Sequence, residues 1–136
     1  MKKIIIILIF FPTIIFGQAV VKCIEGDCDN GYGIKNYIDK IYEGEFKNGN
    51  PHGSGYCDFR TGDSYKGNYK GNWKDGKQSG KGSMVYPNGD KYTGEWGNNK
   101  KDGFGTFIWS NGNKYEGEWQ KNIQSGEGIL TYANNY

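Results

Sequence analysis

The stretch that decides the fold is Tyr-Thr-Gly-Glu-Trp at residues 92–96, which returns as Tyr-Glu-Gly-Glu-Trp at residues 115–119, a spacing of 23 residues. Tyr-Lys-Gly-Asn-Trp at residues 69–73 precedes it by the same spacing, and Tyr-Glu-Gly-Glu-Phe at residues 42–46 comes 27 residues earlier still. The longer spacing arises because Tyr-Lys-Gly-Asn at residues 65–68 duplicates the opening of the second copy. Side chains alternate between the faces of a strand, so each pentapeptide predicts a strand with Tyr, Gly and Trp or Phe on one face.

A second strand is predicted downstream of each pentapeptide. Eleven residues after each Tyr comes Gly-x-Gly, and seventeen residues after it comes a further aromatic residue, namely Phe59, Tyr86, Trp109 or Tyr132. Between the two strands, Asn48-Gly49 and Asp75-Gly76 are typical of tight hairpin turns. Each copy is therefore predicted to be a β-hairpin, and the four copies occupy residues 42–64, 69–91, 92–114 and 115–136.

Residues 18–41 are interpreted as a degenerate repeat that caps the array at its N-terminal end. Gly31-x-Gly33 and Tyr37 match the second strand of the later copies, but the Tyr-x-Gly-x-aromatic strand is missing. Terminal repeats are commonly atypical because they have one neighbour instead of two. Cys23 and Cys28 are expected to form a disulfide in an oxidising compartment, the alternative being two free thiols. Cys57 lies on a second strand and is expected to be a small buried residue.

The composition favours strands and tight turns over helices. The chain of 136 residues contains 23 glycines, 11 tyrosines, 7 phenylalanines and 4 tryptophans, and glycine-rich, aromatic-rich segments suit hairpins. The predicted fold class is all-β, an elongated single-layer antiparallel meander of repeated β-hairpins with about ten short strands.

The first 17 residues are predicted to be a signal peptide. Lys2 and Lys3 precede an apolar run from Ile4 to Phe16, and Gly17 suits the position before a cleavage site. An uncleaved anchor is the alternative, but the run is short for a membrane-spanning helix and contains Pro12. The predicted localisation is therefore exported: periplasmic, envelope-associated or secreted.

One face of the predicted sheet carries rows of aromatic side chains that repeat at every hairpin. A single layer cannot bury such a face completely, so we expect an aromatic-lined groove in which most rings pack on one another and a few are available to a ligand. The candidate binding residues on this aromatic face are Tyr42, Phe46, Phe59, Tyr69, Trp73, Tyr86, Tyr92, Trp96, Trp109, Tyr115, Trp119 and Tyr132.

Tyr-Glu-Gly-Glu-Trp followed by Gly-x-Gly and an aromatic residue, at a period of 23, resembles the MORN repeat (membrane occupation and recognition nexus). The resemblance covers residues 42–136 closely and residues 20–41 loosely. It implies a hairpin array that scaffolds proteins, dimerises or binds phospholipid. Plant phosphatidylinositol phosphate kinases carry the same repeat, but a chain made of repeats has no room for a kinase domain.

No catalytic site, metal site or cofactor is predicted. His52 is the only histidine, and no Cys/His cluster accompanies it, so neither a catalytic triad nor a zinc site can be assembled. The carboxylate pairs Glu43/Glu45 and Glu116/Glu118 alternate with the aromatic residues. They are expected on the opposite face, paired with lysines across the strands.

The charge balance bears on the choice of partner. Removal of Lys2 and Lys3 with the signal peptide leaves 15 basic and 15 acidic side chains, which disfavours nucleic acid or an anionic membrane as a partner. We expect a non-catalytic module that presents its aromatic face to another protein or to a second copy of itself. The alternatives are peripheral binding of anionic phospholipid, for which Lys66, Lys70, Lys74, Lys77 and Lys81 form a cluster, and glycan binding on the stacked aromatics.

Overall fold

The computed structural model describes residues 21–60 and 67–133 of the chain, and it confirms the predicted all-β meander. Ten antiparallel strands form one open sheet in which each strand pairs with the next along the chain. The strands are β1 (Lys22–Gly26), β2 (Tyr32–Asn36), β3 (Lys40–Lys47), β4 (Asn50–Phe59), β5 (Gly67–Lys74), β6 (Lys77–Val85), β7 (Lys91–Gly97), β8 (Lys100–Ile108), β9 (Lys114–Gln120) and β10 (Ile123–Thr131).

Some predicted features lie outside the described residues: the signal peptide at residues 1–17, the duplicated Tyr65 and Lys66, and the C-terminal residue Tyr136. In the part of the chain that is described, no helix has the length and apolar character needed to cross a membrane.

The four hairpins of the repeats share one kind of turn. Two residues connect the strands in each case, and both adopt positive φ, at residues 48–49, 75–76, 98–99 and 121–122. Two-residue turns of this handedness match the right-handed twist of the flanking strands. The predicted turns at Asn48-Gly49 and Asp75-Gly76 are confirmed, whereas Asn98-Asn99 and Lys121-Asn122 reach the same conformation without glycine.

A continuous row of glycines crosses the sheet from β2 to β10. Each strand contributes one glycine, and each glycine is paired with the glycine of the neighbouring strand. The row consists of Gly33, Gly44, Gly55, Gly71, Gly82, Gly94, Gly105, Gly117 and Gly128.

The tyrosine of each repeat lies across this row. A Cβ atom built on Gly94 would collide with the Cα of Gly105 and the hydroxyl of Tyr92, and one built on Gly105 would collide with the Tyr92 ring itself. The Tyr92 hydroxyl donates a hydrogen bond to the Glu95 carbonyl oxygen at 2.9 Å. Tyr42, Tyr69 and Tyr115 make the same bond to the carbonyl oxygens of Glu45, Asn72 and Glu118.

The rings of successive repeats form an unbroken edge-to-face chain. Tyr92 contacts Trp96 of its own strand and Trp119 of the next repeat, with ring centroids 5.2 and 5.4 Å apart. The same contacts recur along the array in the order Phe46, Tyr42, Trp73, Tyr69, Trp96, Tyr92, Trp119, Tyr115. Edge-to-face pairs contribute about 0.5–1.5 kcal/mol each beyond the area they bury. The chain of rings therefore joins the hairpins to one another.

Hydrogen bonds from the turns also join neighbouring repeats. The Asn99 side-chain oxygen accepts a bond from the Gln78 backbone N–H at 2.8 Å, and the Asn99 N–H donates to the Gln78 carbonyl oxygen at 3.1 Å. Asn122 makes the equivalent pair of bonds with Lys101. These two turns are thereby attached to the second strand of the preceding repeat, which satisfies backbone groups beyond the end of the strand pairing.

The N-terminal cap is closed by the predicted disulfide. Cys23 and Cys28 are bonded, with their Cα atoms 5.9 Å apart, and Cys28 packs against the aromatic core. The Lys35 side chain crosses from the cap to the first repeat, where its Nζ lies 5.8 Å from the Phe46 ring centroid and donates to the Gly49 carbonyl oxygen at 3.1 Å.

The glycine row generates a stability prediction for the variant Gly94→Ala. At an open strand position, alanine is more favourable than glycine by about 0.5–1 kcal/mol. At this position the added methyl group has no space, so we expect a loss of about 1–3 kcal/mol in the free energy of unfolding, measured by urea denaturation.

Lys91→Ala is the matched control, because Lys91 is exposed on the same strand and its replacement is expected to change stability by no more than about 0.5 kcal/mol. A Gly94→Ala variant as stable as the parent would show that the tyrosine does not pack on the glycine row.

Candidate functional site on the aromatic face

Most of the predicted binding residues are core residues in the structure. The side chains of Tyr42, Tyr69 and Tyr92 have no exposed surface at all, and the rings between them are less than one-tenth exposed. The eight buried members of the predicted set are Tyr42, Phe46, Tyr69, Trp73, Tyr92, Trp96, Tyr115 and Trp119. A ligand cannot reach these rings without displacing the repeats that cover them.

The other four predicted residues are accessible, and three of them lie at the border of the core. Phe59, Tyr86 and Trp109 are half-buried and pack against the core cluster, while Tyr132 is 67% exposed. Tyr37 of the cap occupies the corresponding place in its own strand pair and is also half-buried. We call these five rings the rim row: Tyr37, Phe59, Tyr86, Trp109 and Tyr132.

Three lysine side chains of the described residues lie over rings on this face, and one of them is Lys35, whose Nζ is 5.4 Å from the Tyr37 ring centroid. The Lys40 Nζ is 5.1 Å from the Tyr37 ring centroid and 5.8 Å from that of Phe59, so it bridges two members of the rim row. Lys101 lies deeper, with its Nζ 4.3 Å from the Trp119 centroid and 4.6 Å from that of Phe107. Burial lowers the pKa of Lys101 from its usual value.

The sequence analysis did not predict that Lys101 lies over the aromatic rings, although its position in the repeat indicates this. Lys101 stands nine residues after its Tyr, at the repeat position that Pro51 and Gln78 fill with buried side chains. A lysine in place of buried residues indicates a long side chain lying along the aromatic core, with its ammonium group over the rings.

Metal-ligating side chains do not cluster within the described residues. No group of three or more His, Cys, Asp or Glu side chains in residues 21–60 and 67–133 is placed to hold a metal ion. His52 Nδ1 lies 3.7 Å from a carboxylate oxygen of Asp75, at the surface between two hairpins. The aromatic face offers apolar contact and hydrogen bonding, which suits recognition of a partner.

The glutamates lie on the opposite face as expected, but their partners differ from the expectation. Glu45 and Glu95 accept hydrogen bonds from the backbone N–H groups of Ser54 and Phe104, at 3.3 Å in both cases. Glu116 pairs with Lys114 of its own strand, at 3.1 Å. The repeat glutamate therefore satisfies the irregular backbone around the first glycine of Gly-x-Gly, where the strand register shifts.

A comparison with known protein families matches the MORN repeat at residues 42–64, 69–91, 92–114 and 115–135. The chain belongs to the MORN repeat family. Among curated proteins, no relative matches it. MORN repeats are in general non-catalytic modules associated with interaction with proteins or membranes, which agrees with a site made of rings rather than of reactive groups.

Cys57 is buried within the first MORN repeat. Its side chain has no exposed surface, and it is a free thiol between the strand partners Tyr42 and Tyr69. Burial raises the pKa of the Cys57 thiol to about 12, so the thiol stays protonated at neutral pH. The prediction of a small buried residue is thus confirmed.

This shift predicts that the MORN array is destabilised by alkali. In the unfolded chain the Cys57 thiol ionises near pH 9.0, whereas in the fold it keeps its proton up to about pH 12. The folded state then binds more protons than the unfolded state, so the free energy of unfolding falls as the pH rises between these values. Urea denaturation at a series of pH values measures the effect.

The variant Cys57→Ala isolates the contribution of the thiol. Tyr42, Tyr69 and Tyr92 also have pKa values raised by burial, so both proteins are expected to lose stability in alkali. The loss is expected to be smaller in Cys57→Ala. If the free energy of unfolding fell equally with pH in the parent and the variant, the Cys57 thiol would not contribute to the alkaline loss of stability.

Proposed function

We propose that the chain is an exported, non-catalytic interaction module, and that the rim row is the surface on which another protein, or a second copy of the chain, binds. The observation that carries this proposal is the repetition of one accessible ring per repeat beside a fully buried core. Interface centres are rich in aromatic side chains, and the rim row consists of such side chains, with Lys40 lying over two of them.

The construction of the face supports a rigid binding surface. Trp109 is held against Phe107, with ring centroids 5.0 Å apart, and Tyr86 lies 6.0 Å from the same ring. Rings already fixed by the core lose little conformational freedom when a partner binds, which favours affinity. The wide spacing of the rim row along successive hairpins suits an extended partner surface more than a small molecule.

Export is proposed from two features. The first 17 residues have the pattern of a signal peptide, and Cys23 and Cys28 are joined in a disulfide. Disulfides persist mainly in oxidising compartments. A protein partner would accordingly be found in the envelope or outside the cell.

The test compares replacements in the rim row with a replacement on the opposite face of the sheet. The purified protein, immobilised, is expected to retain a stoichiometric partner from an envelope extract, or to form a dimer in light scattering. Trp109→Ser and Tyr132→Ser are expected to weaken that association by about tenfold or more, as removal of central interface aromatics does. Ile108→Ser is the control, because Ile108 is exposed on the other face next to Trp109.

Thermal melts of each variant verify that the fold is kept. A monomeric protein without a stoichiometric partner, or equal losses in all three variants, would contradict the proposal.

A second candidate function is peripheral binding to anionic phospholipid. Hairpin β5–β6 carries four lysines, Lys70, Lys74, Lys77 and Lys81, all exposed on the face opposite the core; Lys66 lies outside the described residues. Lys74 and Lys77 are direct cross-strand partners, and none of the four pairs with a carboxylate within the described residues. The second repeat also has Asn72 where the other three have glutamate.

Flotation with vesicles tests this candidate. The protein is expected to float with vesicles containing phosphatidylserine at physiological salt, and not with neutral phosphatidylcholine vesicles, because each lysine near an anionic surface contributes about 1 kcal/mol. Replacing the four lysines by glutamine is expected to abolish flotation. Equal flotation with neutral vesicles, or flotation that survives the four replacements, would exclude an electrostatic mechanism.

A further inference from the structure

Two adjoining troughs cross the sheet on the face opposite the aromatic core. The first has a volume of about 420 Å³ and extends from Tyr32 on β2 to Lys70 on β5. The second has the same volume and extends from Lys70 to Phe104 on β8. Both are lined by Lys70 and Gly71, so they meet there and together span seven strands; we call the pair the channel. Backbone of the glycine row forms part of its floor.

The dimensions of the channel suit an extended chain molecule. Neighbouring strands lie about 4.8 Å apart, so the distance from β2 to β8 is roughly 29 Å. Each trough by itself falls in the range of volumes that hold small ligands, about 300–1,000 Å³. A ligand lying along the channel would cross the strands at right angles.

Exposed aromatic rings stand at both ends of the channel and within its first trough. Tyr32 and Phe104, at the two ends, are 60% and 55% exposed, and Tyr56, on β4 in the first trough, is 40% exposed. The Tyr32 ring is anchored, because its hydroxyl donates to a carboxylate oxygen of Glu43 at 2.7 Å. Exposed rings of this kind do not belong to the core, and they offer apolar faces on which a ligand can stack.

The middle of the channel is lined by side chains that both donate and accept hydrogen bonds. Ser54 and Asn72 line the first trough, and Ser83 and Thr93 line the second. The hydroxyls of Ser83 and Thr93 lie 2.9 Å apart, and each retains hydrogen-bonding capacity beyond that contact.

The charges of the lining residues balance in number. Lys70 and Lys81 are accompanied by Glu43 and Glu95, so the lining carries no net charge. The lining strands β3 to β7 are paired on both sides, so their backbone groups cannot bind the main chain of a peptide by adding a strand. What remains available is stacking on the exposed rings and hydrogen bonding to side chains along the channel.

We propose that this channel binds a neutral, extended oligosaccharide. Sugar rings present apolar C–H faces, which stack on aromatic side chains, and hydroxyl groups, which both donate and accept hydrogen bonds. Tyr32, Tyr56 and Phe104 supply the stacking surfaces, and the hydroxyl and amide side chains between them supply the hydrogen bonds. The site lies on the other face of the sheet from the rim row and is independent of a protein bound there.

The test measures binding of cellohexaose and of chitohexaose to the full chain by isothermal titration calorimetry. At least one of these neutral hexasaccharides is expected to bind. The double variant Tyr56→Ser/Phe104→Ser is expected to bind it about tenfold more weakly, because two stacking contacts are removed. Both residues are exposed, so a circular dichroism melt is expected to show that the variant remains folded.

Ile129→Ser is the matched control, since it removes an exposed apolar side chain from β10, outside the channel, and is expected to leave sugar binding unchanged. Absence of heat with both hexasaccharides, for protein shown to be folded, would overturn the proposal. Binding that is unaffected by the double variant, or that is lost in Ile129→Ser, would also overturn it. Flotation with anionic vesicles that the double variant abolishes would reassign the channel to a membrane surface.

Discussion

The structure depends on one contact, the tyrosine ring lying across a pair of glycines on adjacent strands. The ring can occupy this place only because neither glycine has a side chain, as the collisions at Gly94 and Gly105 show for Tyr92. The hydrogen bond from the tyrosine hydroxyl to a carbonyl oxygen three residues ahead holds the ring down. A fully buried hydroxyl without such a partner would cost free energy, so packing and hydrogen bonding require each other here.

From this contact the rest of the array follows. A tyrosine lying along the sheet presents its ring edges to the tryptophan of its own strand and to that of the next repeat, which generates the edge-to-face chain. A single sheet normally leaves one face exposed to solvent. Here the rings of neighbouring repeats bury one another, and Tyr42, Tyr69 and Tyr92 have no exposed surface. Each hairpin is thus stabilised by its neighbours, as expected of an array in which repeats contact only adjacent repeats.

The two faces of the sheet differ in chemistry. Most rings of the aromatic face are buried in the core, and only the rim row is accessible to a partner. The opposite face carries the glutamates that bond to the irregular backbone, the basic hairpin around Lys74 and Lys77, and the channel between Tyr32 and Phe104. Because the faces are separated by the sheet itself, a protein on one and a saccharide or lipid on the other can be tested independently.

The sequence by itself determined the repeat, the strand faces, the hairpin turns at Asn48-Gly49 and Asp75-Gly76, and the pairing of Cys23 with Cys28. These features can be predicted from residues close together in the sequence, because side chains alternate between the two faces of a strand and tight turns require particular residues. The tertiary structure decided which aromatic residues are accessible, because the burial of Tyr92 depends on Trp119, a residue of another repeat. It also decided that Asn98-Asn99 and Lys121-Asn122 form the same turn, since bonds to the preceding repeat hold Asn99 and Asn122 in place. The channel joins residues of seven strands that are far apart along the chain, and only the pairing of the strands brings Tyr32, Lys70 and Phe104 onto one face of the sheet.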